Sequence, residues 1–123
     1  MLLLAHDPAA SYRRVELDAR VEGSDGAELT RICLEEAIAD LNLASAAQRS
    51  YDVILRNAAL SRAIRTMTAL SSGIATDNPL RRELQLLYGG VRLTISEAIA
   101  QYQQGEIDRV RIDLEDIWEL FNR

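Results

Sequence analysis

The sequence predicts an all-α protein, an antiparallel up-down four-helix bundle preceded by a short N-terminal arm, as one domain of 123 residues. Three observations carry that prediction. Apolar residues recur at three- and four-residue steps over most of the chain after residue 24, and no stretch alternates in the manner of a half-buried strand. The breaks between the periodic segments are short, so consecutive helices must run antiparallel. A chain of this length holds a single core, and 48% apolar with 27% charged residues is ordinary globular composition.

Residues 1–23 read as the arm. Only Asp7 to Arg14 suggests a short helix, with Asp7 as cap and Pro8 at the first helical position. The apolar start Met1-Leu2-Leu3-Leu4-Ala5 lacks a basic flank and is cut short by His6-Asp7-Pro8, so neither a signal peptide nor a spanning helix is expected. Bundle residues follow over 24–123. Ser24-Asp25-Gly26-Ala27-Glu28 is a helix start with capping-box logic: Asp25 accepts from a free backbone N–H and Glu28 reaches back.

The first helix is expected to run to about Ala44. Leu29, Ile32, Cys33, Ala37, Leu41 and Ala44 form its stripe, Leu34, Ile38 and Leu43 widen it, and Glu35, Glu36 and Asp40 face away. The second covers Gln48 to about Ser72. Its apolar positions Tyr51, Ile54, Leu55, Ala58, Ala59, Ile64, Met67 and Leu70 drift around the axis, which makes both sides of this helix adhesive. Gly73 and Thr76-Asp77-Asn78 break the pattern, and Pro79 restarts it as the first helical residue with Asn78 or Asp77 as cap. The third helix carries the rail Leu80, Leu84, Leu87, Val91, Thr94, Ala98 and Gln101, with Tyr88, Ile95 and Tyr102 beside it, and is expected to end at Gly105. The fourth presents Ile107, Val110, Leu114, Ile117 and Phe121 as a heptad seam, with Trp118 and Leu120 off it.

Several functions are disfavoured at this level. A net charge of −5 supplies no basic face for nucleic-acid phosphates. The basic residues are all Arg, a composition from which no site follows. The single histidine, His6, lies in the arm, so no mid-helix phosphotransfer histidine exists, and no Glu-x-x-His pair is present for a carboxylate metal centre. Metal and cofactor are therefore not expected. Cys33 has no second Cys and no nearby His to activate it, so it reads as a small apolar core residue rather than a nucleophile, and a lone thiol fits a reducing, cytoplasmic setting. The acids Asp113, Glu115, Asp116 and Glu119 read as a solvated helix face. The aromatic residues are mostly spaced as core; Tyr12, in the arm, must instead dock on the bundle or on a partner. No catalytic constellation emerges, and the seams offer almost only aliphatic and aromatic groups.

Gly89-Gly90 is the oddity. Two glycines inside a helix cost roughly 1 kcal/mol each relative to Ala, so close approach of another helix, from a partner or from this chain, is expected there.

The order of features resembles the FliS family of flagellar export chaperones. Tyr12 and the Val-containing stretch after it, Gly26-Ala27-Glu28-Leu29-Thr30 at the entry to the first helix, Leu55-Arg56-Asn57-Ala58, Leu87-Tyr88 through Arg92-Leu93 to Glu97-Ala98, and the aromatic-ended Ile117–Phe121 carry the likeness. The chain departs from the family in having Asp25 where Pro is usual, with Ala27 inserted, and Gly89-Gly90 in place of bulkier residues. The resemblance implies a cytoplasmic protein of flagellar type III secretion, not an enzyme. It would hold the disordered C-terminal segment of flagellin as that segment folds into helices around the bundle, preventing premature polymerisation. The flagellar export gate is a further implied partner, and a weak homodimer is compatible with it. Tyr12 would act as a lid over the groove. Tyr12, Leu55, Ile64, Leu84, Tyr88 and Val91 are the expected guest contacts. The competing expectation is a structural or regulatory protein that self-associates through its surplus apolar face, with Gly89-Gly90 at the contact.

Overall fold

The computed structural model describes residues 26–121, and the arm, Tyr12 and the Asp25 half of the capping box lie outside the described residues. Four helices make up the described chain: α1 (Gly26–Arg49), α2 (Val53–Ser72), α3 (Arg81–Ala100) and α4 (Gln104–Phe121). Each packs on its sequence neighbour and α4 returns to α1, which is the up-down-up-down bundle the periodicity predicts. The fit is closest between α1 and α2, which bury small residues on both helices: Ala37, Ala44 and Ala47 on α1, Ala59 and Ala63 on α2. Small side chains let two helix axes come together. Between α3 and α4 the contact is thinnest.

The heptad seam of α4 is where it was expected: Ile107, Val110, Leu114 and Ile117 are buried and Phe121 packs against the core. From α3 the core takes Tyr88, Val91, Ile95 and Ala98. In α1 the stripe shifts: Leu34 is fully buried rather than marginal, while Leu43 lies at the surface. Asp40 does not face away. It is buried and accepts from Arg62 Nε at 3.2 Å, an ion pair that ties α1 to α2. Three residues after Ala37 and four before Ala44, Asp40 belongs geometrically to the buried stripe, and Arg62 neutralises it.

Three boundaries differ from expectation. α1 continues to Arg49, so Gln48 closes this helix instead of opening the next and accepts from Arg56 Nη1 across the turn at 2.7 Å. The turn is a Schellman cap: Asp52 N–H reaches Ala47 O, Tyr51 N–H reaches Gln48 O, and Tyr51 takes the left-handed conformation at φ 59° where glycine is usual. Asp52 then caps α2 by accepting from Leu55 N–H at 3.0 Å. At the entry to α3, Asn78 caps a turn rather than the helix: its side chain accepts from Leu80 N–H and its carbonyl from Arg81 N–H, so the helix begins two residues after Pro79. α3 ends at Ala100, and Gly105 lies in the first turn of α4. The real break is at Gln101, which turns to extended backbone. It is secured by Gln104, which accepts from the Tyr102 hydroxyl and donates to Ser45 of α1 and Asp108.

Candidate functional site

Among the described residues, an apolar surface lies at each end of the bundle. The first is a recess of about 350 Å³ where α1 begins, α2 ends, α3 begins and α4 ends. Leu29, Leu70, Ile74, Leu84 and Phe121 supply its apolar wall. Cys33 and Tyr88 also line it. Ile74 is there because the chain leaves α2 at Gly73, whose N–H still bonds Ala69 O while the next residue turns back under the bundle. A Cβ on Gly73 would stand 3.2 Å from the Ala69 carbonyl oxygen, so this exit fits a glycine.

Tyr88 is the chemically distinctive residue of the recess. Only 1% of it is exposed, yet its hydroxyl has no hydrogen-bond partner among the described residues. A buried phenol without a partner is uncommon, because leaving a polar group desolvated is costly. Burial, and then the neighbouring Cys33, push its ionisation up to about 12. The Cys33 thiol is likewise pushed up to about 11 by burial and then by Glu36, so it stays protonated and packs as a small apolar group, as the sequence implied.

The second surface is the tip formed by the α1–α2 turn. Tyr51 is 90% exposed and Ile54 86%, with Val53 and Leu55 also at the surface. The spacing of Tyr51 suggests a core aromatic, but it lies in the left-handed position of the Schellman turn and is turned outward.

The residues singled out from the sequence therefore do not form one cluster. Leu84 lines the recess, and Tyr88 lines it from within the core. Val91 is buried and Ile64 is partly buried against the same core. Leu55 belongs to the opposite tip, about 22 Å along α2 from Leu70 at 1.5 Å per residue. Tyr12 lies outside the described residues. Sequence reasoning missed Ile74 and Phe121 as wall residues. An isoleucine directly after the helix-ending Gly73 was the available signal, since an apolar residue in a polar break usually has something to cover.

Among the described residues no helix is long and apolar enough to cross a membrane, and no group of three His, Cys, Asp or Glu is placed to hold a metal ion. No curated protein matches the chain. The family model of the flagellar protein FliS matches residues 8–123. The chain belongs to the FliS family.

Proposed function

We propose, from membership of the FliS family, that this protein is a cytoplasmic export chaperone that binds the C-terminal helical segment of flagellin and prevents its premature polymerisation. The family match carries the reading, and the two apolar surfaces give it a physical form. A guest that folds as it binds must offset ordering costs of about 2–5 kcal/mol, which requires burial of roughly 1,000–3,000 Å². No single recess of about 350 Å³ supplies that. A chain that wraps the bundle, with one helix at the Leu84 end and another at the Tyr51–Leu55 tip, does.

In the recess, apolar guest side chains displace water from Leu84, Ile74 and Phe121, and a guest carbonyl gives the Tyr88 hydroxyl its missing acceptor. Flagellin residues held this way are the apolar faces it needs for self-assembly, so binding and polymerisation exclude each other. Tyr12 would close over the groove when no guest is present, and the flagellar export gate would receive the loaded complex.

The test is titration calorimetry against the last residues of a flagellin from the same organism, on the order of forty, a length able to bury the required surface. A stoichiometric complex with a large negative heat-capacity change is expected, with Leu84→Glu abolishing it. Absence of binding, or binding unaffected by charge placed in the recess, refutes the reading.

A further inference from the structure

The outward side of α3 is close to a palindrome about the Gly89–Gly90 bond. Leu86 stands three residues before Gly89 and Leu93 three after Gly90; Arg82 stands seven before Gly89 and Glu97 seven after Gly90. At 3.6 residues per turn these six positions share roughly 100° of arc. The core residues Tyr88, Val91, Ile95 and Ala98 occupy the opposite side. Leu86 is 68% exposed and Leu93 60%, and Arg82, Gly90 and Glu97 are exposed as well.

Nothing in the bundle itself accounts for the glycines. A Cβ built on either would meet no atom within 4 Å among the described residues, so the four described helices do not need the space. The charges are also misplaced for an isolated helix. Arg82 sits in the first turn of α3 and Glu97 in the last, each beside the helix pole of its own sign, and neither makes an ion pair among the described residues.

We infer that a second copy of this chain docks here, α3 against α3 and antiparallel, with the two-fold axis passing through the Gly89–Gly90 pair. The same symmetry resolves each anomaly. Leu86 meets Leu93 of the second copy on both sides of the axis, and the glycines let the helices cross closer than the usual separation of roughly 8–10 Å. Arg82 meets Glu97 of the second copy twice, and each charge then lies beside the pole of opposite sign on the neighbouring helix. An unrelated guest helix needs an apolar groove but not mirrored opposite charges at equal distances from the centre; a copy of the same chain supplies both. One helix face is a small contact, below the roughly 1,000 Å² of a stable interface, so the dimer is weak and concentration-dependent. It lies across α3 from Leu84 and Tyr88 and does not depend on the flagellin reading.

Sedimentation equilibrium of the full chain without any guest, up to high concentration, tests this. The protein is expected to dimerise reversibly, less so in high salt. Gly90→Leu should weaken dimerisation by about tenfold or more while leaving the monomer at least as stable, since its own helix gains a better helix former in open space. Arg82→Glu and Glu97→Arg should each weaken it by about three- to tenfold, and the double swap should restore it, because both interfacial pairs are then re-formed with signs reversed. A chain that stays monomeric throughout, a Gly90→Leu dimer as strong as the parent, or a double swap no better than the singles overturns the proposal.

Discussion

Replacing Tyr88 by Phe removes one oxygen atom and tests the central feature of the recess. The hydroxyl is buried with no partner among the described residues, so the folded state carries its desolvation without a compensating hydrogen bond, about 1–3 kcal/mol. Deleting it leaves a void of about one oxygen atom, roughly 10–15 Å³, which at about 24 cal/mol per Å³ returns only about 0.3 kcal/mol. Tyr88→Phe should therefore stabilise the free protein by about 1–2 kcal/mol. For a chain of this size that is a rise in Tm of about 4–8 °C. Urea unfolding followed by circular dichroism should show a higher midpoint at unchanged slope. The same substitution should weaken guest binding by about 0.5–1.5 kcal/mol, the net worth of a hydrogen bond made only in the complex. A variant destabilised by 1 kcal/mol or more would show that the phenol is already satisfied in the free protein, and the recess would lose its claim to an unmet polar need.

Three other perturbations read separate parts of the molecule. Tyr51→Gly relieves a left-handed residue that costs about 1–2 kcal/mol and gives back part of that in unfolded-chain entropy, so a net stabilisation of about 0.5–1 kcal/mol is expected by urea midpoint, together with weaker guest binding at the tip. Asp40→Ala should destabilise by about 1–3 kcal/mol, measured the same way, by stripping a mostly buried Arg62 of its counter-charge; a change near zero would mean the α1–α2 pair is idle. Cys33 and Tyr88 both hold their protons more tightly when folded, up to about 11 and about 12 against ordinary values of 9.0 and 10.0. Their contribution is thus fully present below pH 9 and is lost as pH climbs from 9 towards 12, and Cys33→Ala should flatten the lower part of that decline in an alkaline unfolding series.

What was legible in the sequence is what repeats. The α4 seam and the α3 core positions follow from three- and four-residue spacing, because burial on one side of a helix is a periodic demand. The helix ends were less legible because this chain marks them without the usual residues. The α1–α2 turn has Tyr51 where a glycine would announce a Schellman cap, so the pattern places the break too early and Tyr51 in a core it does not enter. Gly105 gave the opposite error: a glycine that reads as a stop lies inside a first helical turn, where a Cβ would also have had room. Asp40 reads as a surface acid by residue type, although its position places it on the buried stripe. Its counter-charge stands 22 residues away on α2, and one-dimensional spacing does not connect two helices.

The candidate site was legible in type but not in arrangement, and the reason bears on how the protein works. Spacing marks Leu55, Leu84 and Tyr88 as apolar helix positions and the family resemblance implies that they meet a guest, yet only the folded chain shows that Leu84 and Tyr88 share a recess at one end while Leu55 belongs to the other. The middle of the bundle, where α1 and α2 bury Ala44, Ala47, Ala59 and Ala63, contributes no wall to the Leu84 recess. On the proposed reading, a partner engaging both ends would be long enough to span the roughly 22 Å between Leu55 and Leu70 along α2. That favours a flexible segment folding in two pieces over a single preformed helix. It also assigns different tasks to the two sides of α3. On the two proposals, the inward side, through Leu84 and Tyr88, would serve the guest, while the outward side, through Leu86, Gly89, Gly90 and Leu93, would meet an identical surface. Substitutions on one side should leave the other's binding unchanged, and coupling between them would mean that α3 shifts as a body when either is occupied.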